Sequence, residues 1–344
     1  MPDPRYAFIS AYLKGEESKL LTSDHVDKMV TASNIQDALA IIRETDIGSY
    51  LEELPVKAFD DLDEYLWRYF AQRIRYIESF KFLPKDILKL SRAYIVKYDV
   101  FNIKAALQGI STGKKGRMIP VGIIPNNGLL DELSHAENTD EIVKLLEKCK
   151  LGNYIPALEG YKVDGGMKSK VIAEARLDGE YYESMLNIAK DMKDGGVLVK
   201  AFGIIIDLIN LQIASRAIIE GMGREAIEYT IAAGYMLPGK VVAEFLSLKL
   251  SDMARRLENT QYQDVANEVS SSYDRTKSIT AVEEIIDKHK FRLLKEILAP
   301  RVLSPLVMAW YLILKEIEIR NLRLILKTIV DGMPLEGIKG YLVL

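Results

Sequence analysis

The stretch Asp99-Val-Phe-Asn102-Ile-Lys104 occurs in three related forms in this chain of 344 residues. The other copies are Asp207-Leu-Ile-Asn210-Leu-Gln212 and Glu318-Ile-Arg-Asn321-Leu-Arg323. Each copy has a carboxylate, an asparagine three residues later, an aliphatic residue and then a long polar side chain. The asparagines lie about a third of the chain apart, so the pattern predicts a repeated structural unit.

A second element, built around a tyrosine, precedes each copy in the same order. Residues 45–54 and 149–158 share a glycine, a tyrosine and a final leucine, and residues 260–265 hold a shorter form. The three tyrosines are Tyr50, Tyr154 and Tyr262. We therefore predict a threefold internal repeat of roughly 110 residues. Its helical domains would span residues 1–115, 116–222 and 223–344.

The hydrophobic pattern is helical almost throughout. Apolar stripes and the placing of proline and glycine predict long helices over residues 60–80, 85–109, 198–220 and 305–330, with Gly109 as the end of the second. Evidence for a strand is limited to the short segment Val121-Gly-Ile-Ile124. The sequence therefore predicts an all-α fold.

The repeated helices are apolar around most of their circumference, which is typical of buried helices. Asp207 and Asn210, for example, are surrounded by isoleucine and leucine. Buried polar groups are normally hydrogen-bonded. Each carboxylate–asparagine pair is therefore predicted to tie its helix to a turn or helix of its own domain, which is a structural role. The tyrosine element is a candidate partner.

Charge and cysteine content restrict the class of protein. A net charge of -3 argues against a nucleic-acid binder. Cys149 is the only cysteine, so an intrachain disulfide is impossible and a reducing compartment is expected.

The sequence predicts no targeting or membrane segment. The first residues show no signal-peptide pattern. No stretch is expected to come near the ~20 apolar residues of a membrane helix, and residues 306–314 are the nearest candidate. A cytosolic protein is predicted.

The residues of common catalytic and cofactor sites are missing. His25, His135 and His289 share no metal-ligand spacing, and no phosphate-binding loop of the Gly-x4-Gly-Lys type occurs. Gly221-Met-Gly223 follows a predicted helix rather than a strand, which argues against a dinucleotide site. The basic segment 114–117 is either a solvated loop or a contact with an anionic surface or a phosphate. We predict no enzyme activity, no metal or other cofactor, and no nucleotide binding.

Several motifs together resemble the C subunit of the archaeal and bacterial A-type ATP synthases, a family related to the d subunit of eukaryotic V-type ATPases. They are Tyr6-Ala-Phe8, Lys19-Leu-Leu-Thr22, residues 45–50, Tyr94-Ile95 with residues 98–104, and residues 318–338. These motifs keep their order over essentially the whole chain.

The resemblance implies a non-catalytic rotor subunit of the central stalk. Its three similar domains would surround a pseudo-threefold axis and form a funnel or socket. The socket would sit on the membrane proteolipid ring, peripherally on the cytoplasmic side, and receive the shaft made by D-type and F-type subunits. It would thereby couple ion flow to ATP synthesis or hydrolysis.

Two other classes of function remain open. A helical-repeat scaffold for soluble partners is one, although solenoid repeats of ~20–50 residues are shorter than those seen here. An enzyme with a site between domains is the other. Clustered titratable groups in an interdomain cleft would favour the enzyme, whereas a wide, open axial cavity with mixed polar lining would favour the socket.

Overall fold

The structure, a computed structural model, describes residues 3–52, 54, 55, 58–161, 166–333, 338 and 341–343, with backbone only for residues 166–168. All regular structure in this part of the chain is helical, which confirms the all-α prediction. Of the closing segment 318–338 that carries part of the family resemblance, residues 334–337 lie outside the described residues.

The described residues form seventeen α-helices and three 3₁₀ helices. The first six α-helices are α1 (Ala7–Glu17), α2 (Ser23–Met29), α3 (Ile35–Ile41), α4 (Asp46–Glu52), α5 (Phe59–Glu78) and α6 (Lys85–Thr112). The next six are α7 (Ile123–Asn126), α8 (Leu130–Ser134), α9 (Thr139–Lys148), α10 (Ile155–Leu158), α11 (Gly166–Lys190) and α12 (Gly195–Glu220). The last five are α13 (Gly239–Phe245), α14 (Leu250–Arg256), α15 (Gln263–Thr276), α16 (Ile279–Leu298) and α17 (Leu306–Val330). The 3₁₀ helices are Pro4–Tyr6, Gly152–Tyr154 and Gly223–Tyr229.

The three copies of the repeated motif lie on the long helices α6, α12 and α17, which have 28, 26 and 25 residues. The prediction that α6 ends at Gly109 is wrong, because the helix continues to Thr112 and is capped by Gly113. A glycine inside a helix costs only about 1 kcal/mol relative to alanine, so Gly109 does not by itself end α6.

The N-terminal segment ties the starts of these three helices together. The hydroxyl of Tyr6 donates to Asp86 at the start of α6 over 3.0 Å. Lys193, just before α12, forms an ion pair with Asp3 at 3.3 Å. The backbone N–H of Asp3 donates to the carbonyl of Leu303, just before α17, over 3.4 Å. The three helices therefore begin at the same end of the molecule.

The buried apolar side chains of the described residues form two clusters rather than three. The smaller one combines the second half of α12 with α13 to α16. The larger one combines buried residues of α1 to α11, the first half of α12 and α17, and includes Phe291, Leu294 and Leu298 of α16. Because α12 contributes to both clusters and α17 packs with the N-terminal helices, the copies share their cores.

Among the described residues, α12 is the one helix long and apolar enough to cross a membrane by length and composition. The expectation that no stretch comes near this limit is therefore wrong, as is the choice of residues 306–314 as the nearest candidate. In α12, 61% of the most apolar window is buried inside the protein. Asp207 and Asn210 in its middle are fully buried and bonded to the protein's own backbone. These contacts are typical of a core helix.

Candidate functional site

The first carboxylate–asparagine pair holds the loop that follows α6. The carboxylate of Asp99 accepts hydrogen bonds from the backbone N–H groups of Ile123 and Ile124, at 2.6 and 2.9 Å. Asn102 donates to the carbonyl of Ile119 and accepts from its N–H, at 2.8 and 2.7 Å. Both polar side chains are fully buried, and the loop therefore satisfies their hydrogen-bonding groups.

The second pair binds the loop after α12 in the same way. Asn210 donates to the carbonyl of Ile231 and accepts from its N–H, both at 2.9 Å. The carboxylate of Asp207 accepts the hydroxyl hydrogen of Tyr262 at 2.6 Å. It also accepts from the backbone N–H groups of Tyr235, Met236 and Leu237. Asp207 thus has four donors.

The third pair divides its partners between the two ends of the chain. Asn321 donates to the carbonyl of Val343 at 2.7 Å and accepts from its N–H at 3.2 Å. Glu318 instead accepts from the backbone N–H of Leu21 at 3.0 Å, and from the ammonium of Lys315 at 2.9 Å. Leu21 and Val343, near the two ends of the chain, therefore provide the backbone hydrogen bonds that a single loop provides in the other copies.

Two glycines allow the first two loops to approach their carboxylates. Gly122 has φ +129 and Gly234 has φ +158, in the region that favours glycine. A Cβ on Gly122 would lie 2.3 Å from Oδ1 of Asp99, and one on Gly234 would lie 2.6 Å from Oδ1 of Asp207. No other residue fits at these positions without displacing the carboxylate.

The prediction that each pair bonds within its own domain is wrong for the ranges proposed. The loops held by Asp99 and Asp207 lie beyond residues 115 and 222, and Glu318 reaches Leu21 in the first third. With these predicted ranges, the first copy bonds to the second, the second to the third, and the third to the first. The physical reason is that α6 and α12 pack against the loops that follow them, whereas the carboxylate of α17 bonds to Leu21, between α1 and α2. The domain boundaries themselves, and the superposition of the three copies, stay predictions.

The other repeat residues have different surroundings. Lys104 forms an ion pair with Asp178 of α11. Arg323 forms one with the fully buried Asp63 of α5, whereas Gln212 is half-buried on α12. Among the tyrosines, Tyr262 bonds to Asp207, the carboxylate of the preceding copy. Tyr50 packs on the ring of Tyr69 at 5.3 Å, and Tyr154 is buried.

Burial raises the pKa of all three repeat carboxylates. For Asp99 the pKa rises to about 7, although the two backbone donors act in the opposite direction. For Asp207 the pKa is raised by burial and lowered in part by the Tyr262 hydroxyl. For Glu318 it is raised by burial and opposed by the charge of Lys315. Each carboxylate thus gives up solvation on folding.

Asp99 should make the protein less stable as the pH rises from about 4 to about 7. Its pKa is 3.8 ordinarily and about 7 in the folded protein, so the folded state binds the proton more tightly. The associated stability is fully present below the unfolded pKa and is lost as the pH rises through the folded pKa. We expect the free energy of unfolding, measured with urea, to fall more steeply in this window for the wild type than for Asp99→Asn. Parallel curves would contradict the assignment.

A cavity of about 310 Å³ lies between the three long helices and α5, α11 and α16. Equivalent positions of all three copies line it. Five residues before each repeat carboxylate stand Tyr94, Phe202 and Ile313, and two residues before it stand Lys97, Ile205 and Glu316. We call this space the axial cavity, since the same two positions of α6, α12 and α17 face it.

Sequence reasoning missed these residues because the equivalent positions differ in chemistry. Lys97, Ile205 and Glu316 are a cation, an aliphatic residue and an anion. The signal that could have found them is their fixed offset from the three carboxylates. Further aromatic residues at the cavity are Trp67, Tyr181, Tyr182 and Phe291.

Two groups of charges lie at the axial cavity. Lys97 forms an ion pair with Glu316, and the Tyr94 hydroxyl donates to Glu316 at 2.6 Å. Burial alone would raise the pKa of Glu316, yet the charge of Lys97 holds it below its ordinary value. In the second group, Asp287 accepts from Lys290 at 2.5 Å and lies 2.8 Å from Arg320. Burial would likewise raise the pKa of Asp287, and these two cations lower it.

The axial cavity combines features expected of two classes of function. It has the clustered titratable groups between the repeats that are expected of an enzyme. Its mixed polar and apolar lining is the one expected of a socket, but its volume of about 310 Å³ is not that of the wide, open cavity that would favour the socket. Its carboxylates Glu316 and Asp287 are each engaged by cations. The part of the chain that the structure describes contains no group of three or more histidine, cysteine or acidic side chains able to hold a metal ion.

Comparison with known proteins gives consistent matches over nearly the whole chain. A family model described as ATP synthase (C/AC39) subunit matches residues 9–341. The A-type ATP synthase C subunit of Methanocaldococcus jannaschii is 25% identical, with 98% of this chain and 86% of the relative covered. Proteins of the same name from Thermococcus onnurineus and Thermococcus kodakarensis are 26% and 23% identical, with 97% and 98% of this chain and 89% and 90% of the relatives covered.

Proposed function

The chain belongs to the ATP synthase (C/AC39) subunit family, and from this premise we propose that it is a non-catalytic central-stalk subunit. In this role it is the socket that joins the rotor shaft, made of D-type and F-type subunits, to the membrane proteolipid ring. It lies peripherally on the cytoplasmic side of the membrane. Torque passes through it between ion flow and ATP chemistry.

The observation that carries this proposal is the axial cavity lined by equivalent positions of three long helices. Tyr94, Phe202 and Ile313 face it from α6, α12 and α17. A rotor part must bind its neighbours about one axis, and three similar units arranged around a common space suit that requirement. Because the N-terminal segment ties the helix starts at one end, we place the shaft at the opposite end.

The cyclic bonding between copies argues against an open scaffold. In a solenoid each repeat contacts only its neighbours and the terminal repeats remain apart. Here Glu318 of the third copy bonds to Leu21, and Arg323 of the third copy pairs with Asp63 of the first. Such closure favours a compact socket with a single axis.

Reconstitution tests the proposed function. The purified protein is mixed with a detergent-solubilised proteolipid ring and the D/F shaft complex of the same organism. We expect one complex that contains all three on size-exclusion chromatography, and no association of ring and shaft when this protein is left out. We also expect no ATP hydrolysis by the isolated protein. Saturable micromolar nucleotide binding in calorimetry, or ring and shaft binding each other equally well without it, would contradict the proposal.

A further inference from the structure

A groove of about 510 Å³ runs between α6, the C-terminal end of α11 and the turn that follows α9. Its floor is apolar and includes Leu88, Val96 and Leu151. Its rim carries the exposed side chains of Lys85, Lys89, Arg92 and Lys150. Among the described residues, no carboxylate lines it. We call this space the basic groove.

The basic groove lies on the side of α6 away from the axial cavity. Tyr94 and Lys97 of this helix line the axial cavity, whereas Arg92 and Val96 line the groove. With about 3.6 residues per turn, these two sets of side chains project from roughly opposite sides of a helix. The groove therefore faces outward.

The cations of the groove have no counter-charge within the described part of the chain. None of the four forms an ion pair or a side-chain hydrogen bond with a described residue. The only acidic side chain within residues 81–96 is that of Asp86, which accepts the hydroxyl hydrogen of Tyr6 at 3.0 Å. Lys81, in the turn before α6, adds a fifth exposed cation. Clustered charges of one sign attract a partner of the opposite sign.

An exposed aromatic side chain lies beside these cations. Phe82 is 91% exposed and stands between Lys81 and Lys85 along the chain. Phe8 is 60% exposed and packs edge-on against Phe80, with 5.4 Å between the ring centroids. Exposed aromatic rings next to lysine and arginine are typical of segments that lie in a membrane interface.

From these observations we propose that the basic groove and Phe82 bind the anionic lipid headgroups of the membrane beside the proteolipid ring. The lipid phosphates lie against Lys85, Lys89 and Arg92, and the ring of Phe82 enters the layer between headgroups and acyl chains. This inference rests on the proposed function, which puts a membrane next to this protein, and adds a contact with lipid. Phe82 and Lys85 lie where α6 begins, at the end away from the shaft in that proposal.

A lipid surface matches these residues better than an acidic protein segment does. Lys85 and Arg92 are about 10 Å apart along α6, and Lys150 comes from another part of the chain. Mobile lipid phosphates can adapt to such a spread of cations. Three of the four groove cations are lysines, which bind phosphate as point charges, whereas arginine is favoured where a carboxylate is held in a fixed, bidentate geometry. Clusters of lysine and arginine on a helix are typical sites for anionic lipids.

Sedimentation with vesicles tests the proposal on the isolated protein, without ring or shaft. Vesicles of phosphatidylcholine alone are compared with vesicles that also contain phosphatidylglycerol. We expect the wild type to bind the anionic vesicles at least about tenfold more tightly, and this affinity to fall as salt is added. In the groove variant, Lys85→Gln with Lys89→Gln and Arg92→Gln, binding to anionic vesicles should weaken at least about tenfold.

A matched control variant loses the same charges elsewhere. Lys240→Gln with Lys249→Gln and Arg256→Gln removes two lysines and one arginine from exposed positions outside the groove. We expect it to bind anionic vesicles within about twofold of the wild type. The substituted side chains of both variants are exposed and have no ion-pair partner among the described residues. Both variants should therefore keep the melting temperature of the wild type.

Fluorescence of Phe82→Trp measures the entry of this side chain into the membrane interface. The two natural tryptophans, Trp67 and Trp310, are only 7% and 2% exposed, so a change in emission reports on position 82. We expect a blue shift with anionic vesicles and none with phosphatidylcholine alone. Phe82→Ser should bind anionic vesicles severalfold more weakly, whereas Phe82→Trp should bind as the wild type does, because tryptophan favours the interface.

The outcomes separate the lipid contact from the proposed function. A wild type that joins ring and shaft in detergent, but binds both kinds of vesicle equally, would overturn the lipid contact alone. Equal binding of the groove variant and the control variant to anionic vesicles would also overturn it. So would binding of a polyglutamate peptide that is lost in the groove variant while no vesicle is bound, which would indicate an acidic protein partner. Vesicle binding as expected, without any association with ring or shaft, would refute the proposed function instead.

Discussion

Asp207→Ala should destabilise the protein by at least about 1–3 kcal/mol, the cost of leaving one buried donor without its acceptor. Asp207 is fully buried and accepts from three consecutive backbone N–H groups and from the Tyr262 hydroxyl. Alanine leaves these four donors without an acceptor inside the protein. The loop after α12 and the tyrosine element would then lose their common attachment.

Urea unfolding followed by circular dichroism measures this loss. Asp191→Ala is the matched control, because Asp191 is exposed just before α12, and such surface changes usually stay within about 0.5 kcal/mol. The fraction of Asp207→Ala that remains folded should still join the shaft and the ring. Wild-type stability together with lost ring binding would instead assign Asp207 to a partner interface.

The sequence was sufficient for the all-α fold class and for the family. Apolar periodicity predicted the long helices, and the recurrence of Asp99-x-x-Asn102 marked their central positions. The partners of these residues could not be predicted, because they are backbone groups of Ile119, Ile231 and Val343. A backbone N–H or C=O group is present whatever side chain the residue carries, so the loops share little sequence.

The glycines of those loops do give a recognisable signal in the sequence. Gly122 and Gly234 occur where the chain passes a carboxylate, and their offsets from Asp99 and Asp207 could have indicated the contact. The third copy lacks this signal because the partners of its pair lie near the two ends of the chain.

The axial cavity could not be predicted for another reason. Its charged residues pair across copies, as Lys97 does with Glu316, and such pairs form only when the helices are assembled.

Glu318→Leu should cost about 3–5 kcal/mol of stability, because it leaves a buried ammonium without its counter-charge. The side chains of Lys315 and Glu318 are only 1% and 3% exposed. The remaining partner of Lys315 is the Tyr69 hydroxyl at 3.2 Å, which cannot neutralise the charge. Lys315→Met alone should also destabilise, since it leaves the Glu318 carboxylate buried and unpaired by a cation.

The double variant Lys315→Met with Glu318→Leu distinguishes the contribution of the ion pair to stability from that of the hydrogen bond between Leu21 and Glu318. Replacing both charges by apolar groups of similar size is often close to neutral, so most of the stability should return. The Leu21 N–H would still lack its acceptor, at a cost of about 1–3 kcal/mol. A double-mutant cycle in urea should therefore give strong coupling between positions 315 and 318, with a residual loss. Additive losses would show that the pair does not act as a unit. Complete recovery would show that the Leu21 bond contributes nothing to holding the third copy against the first.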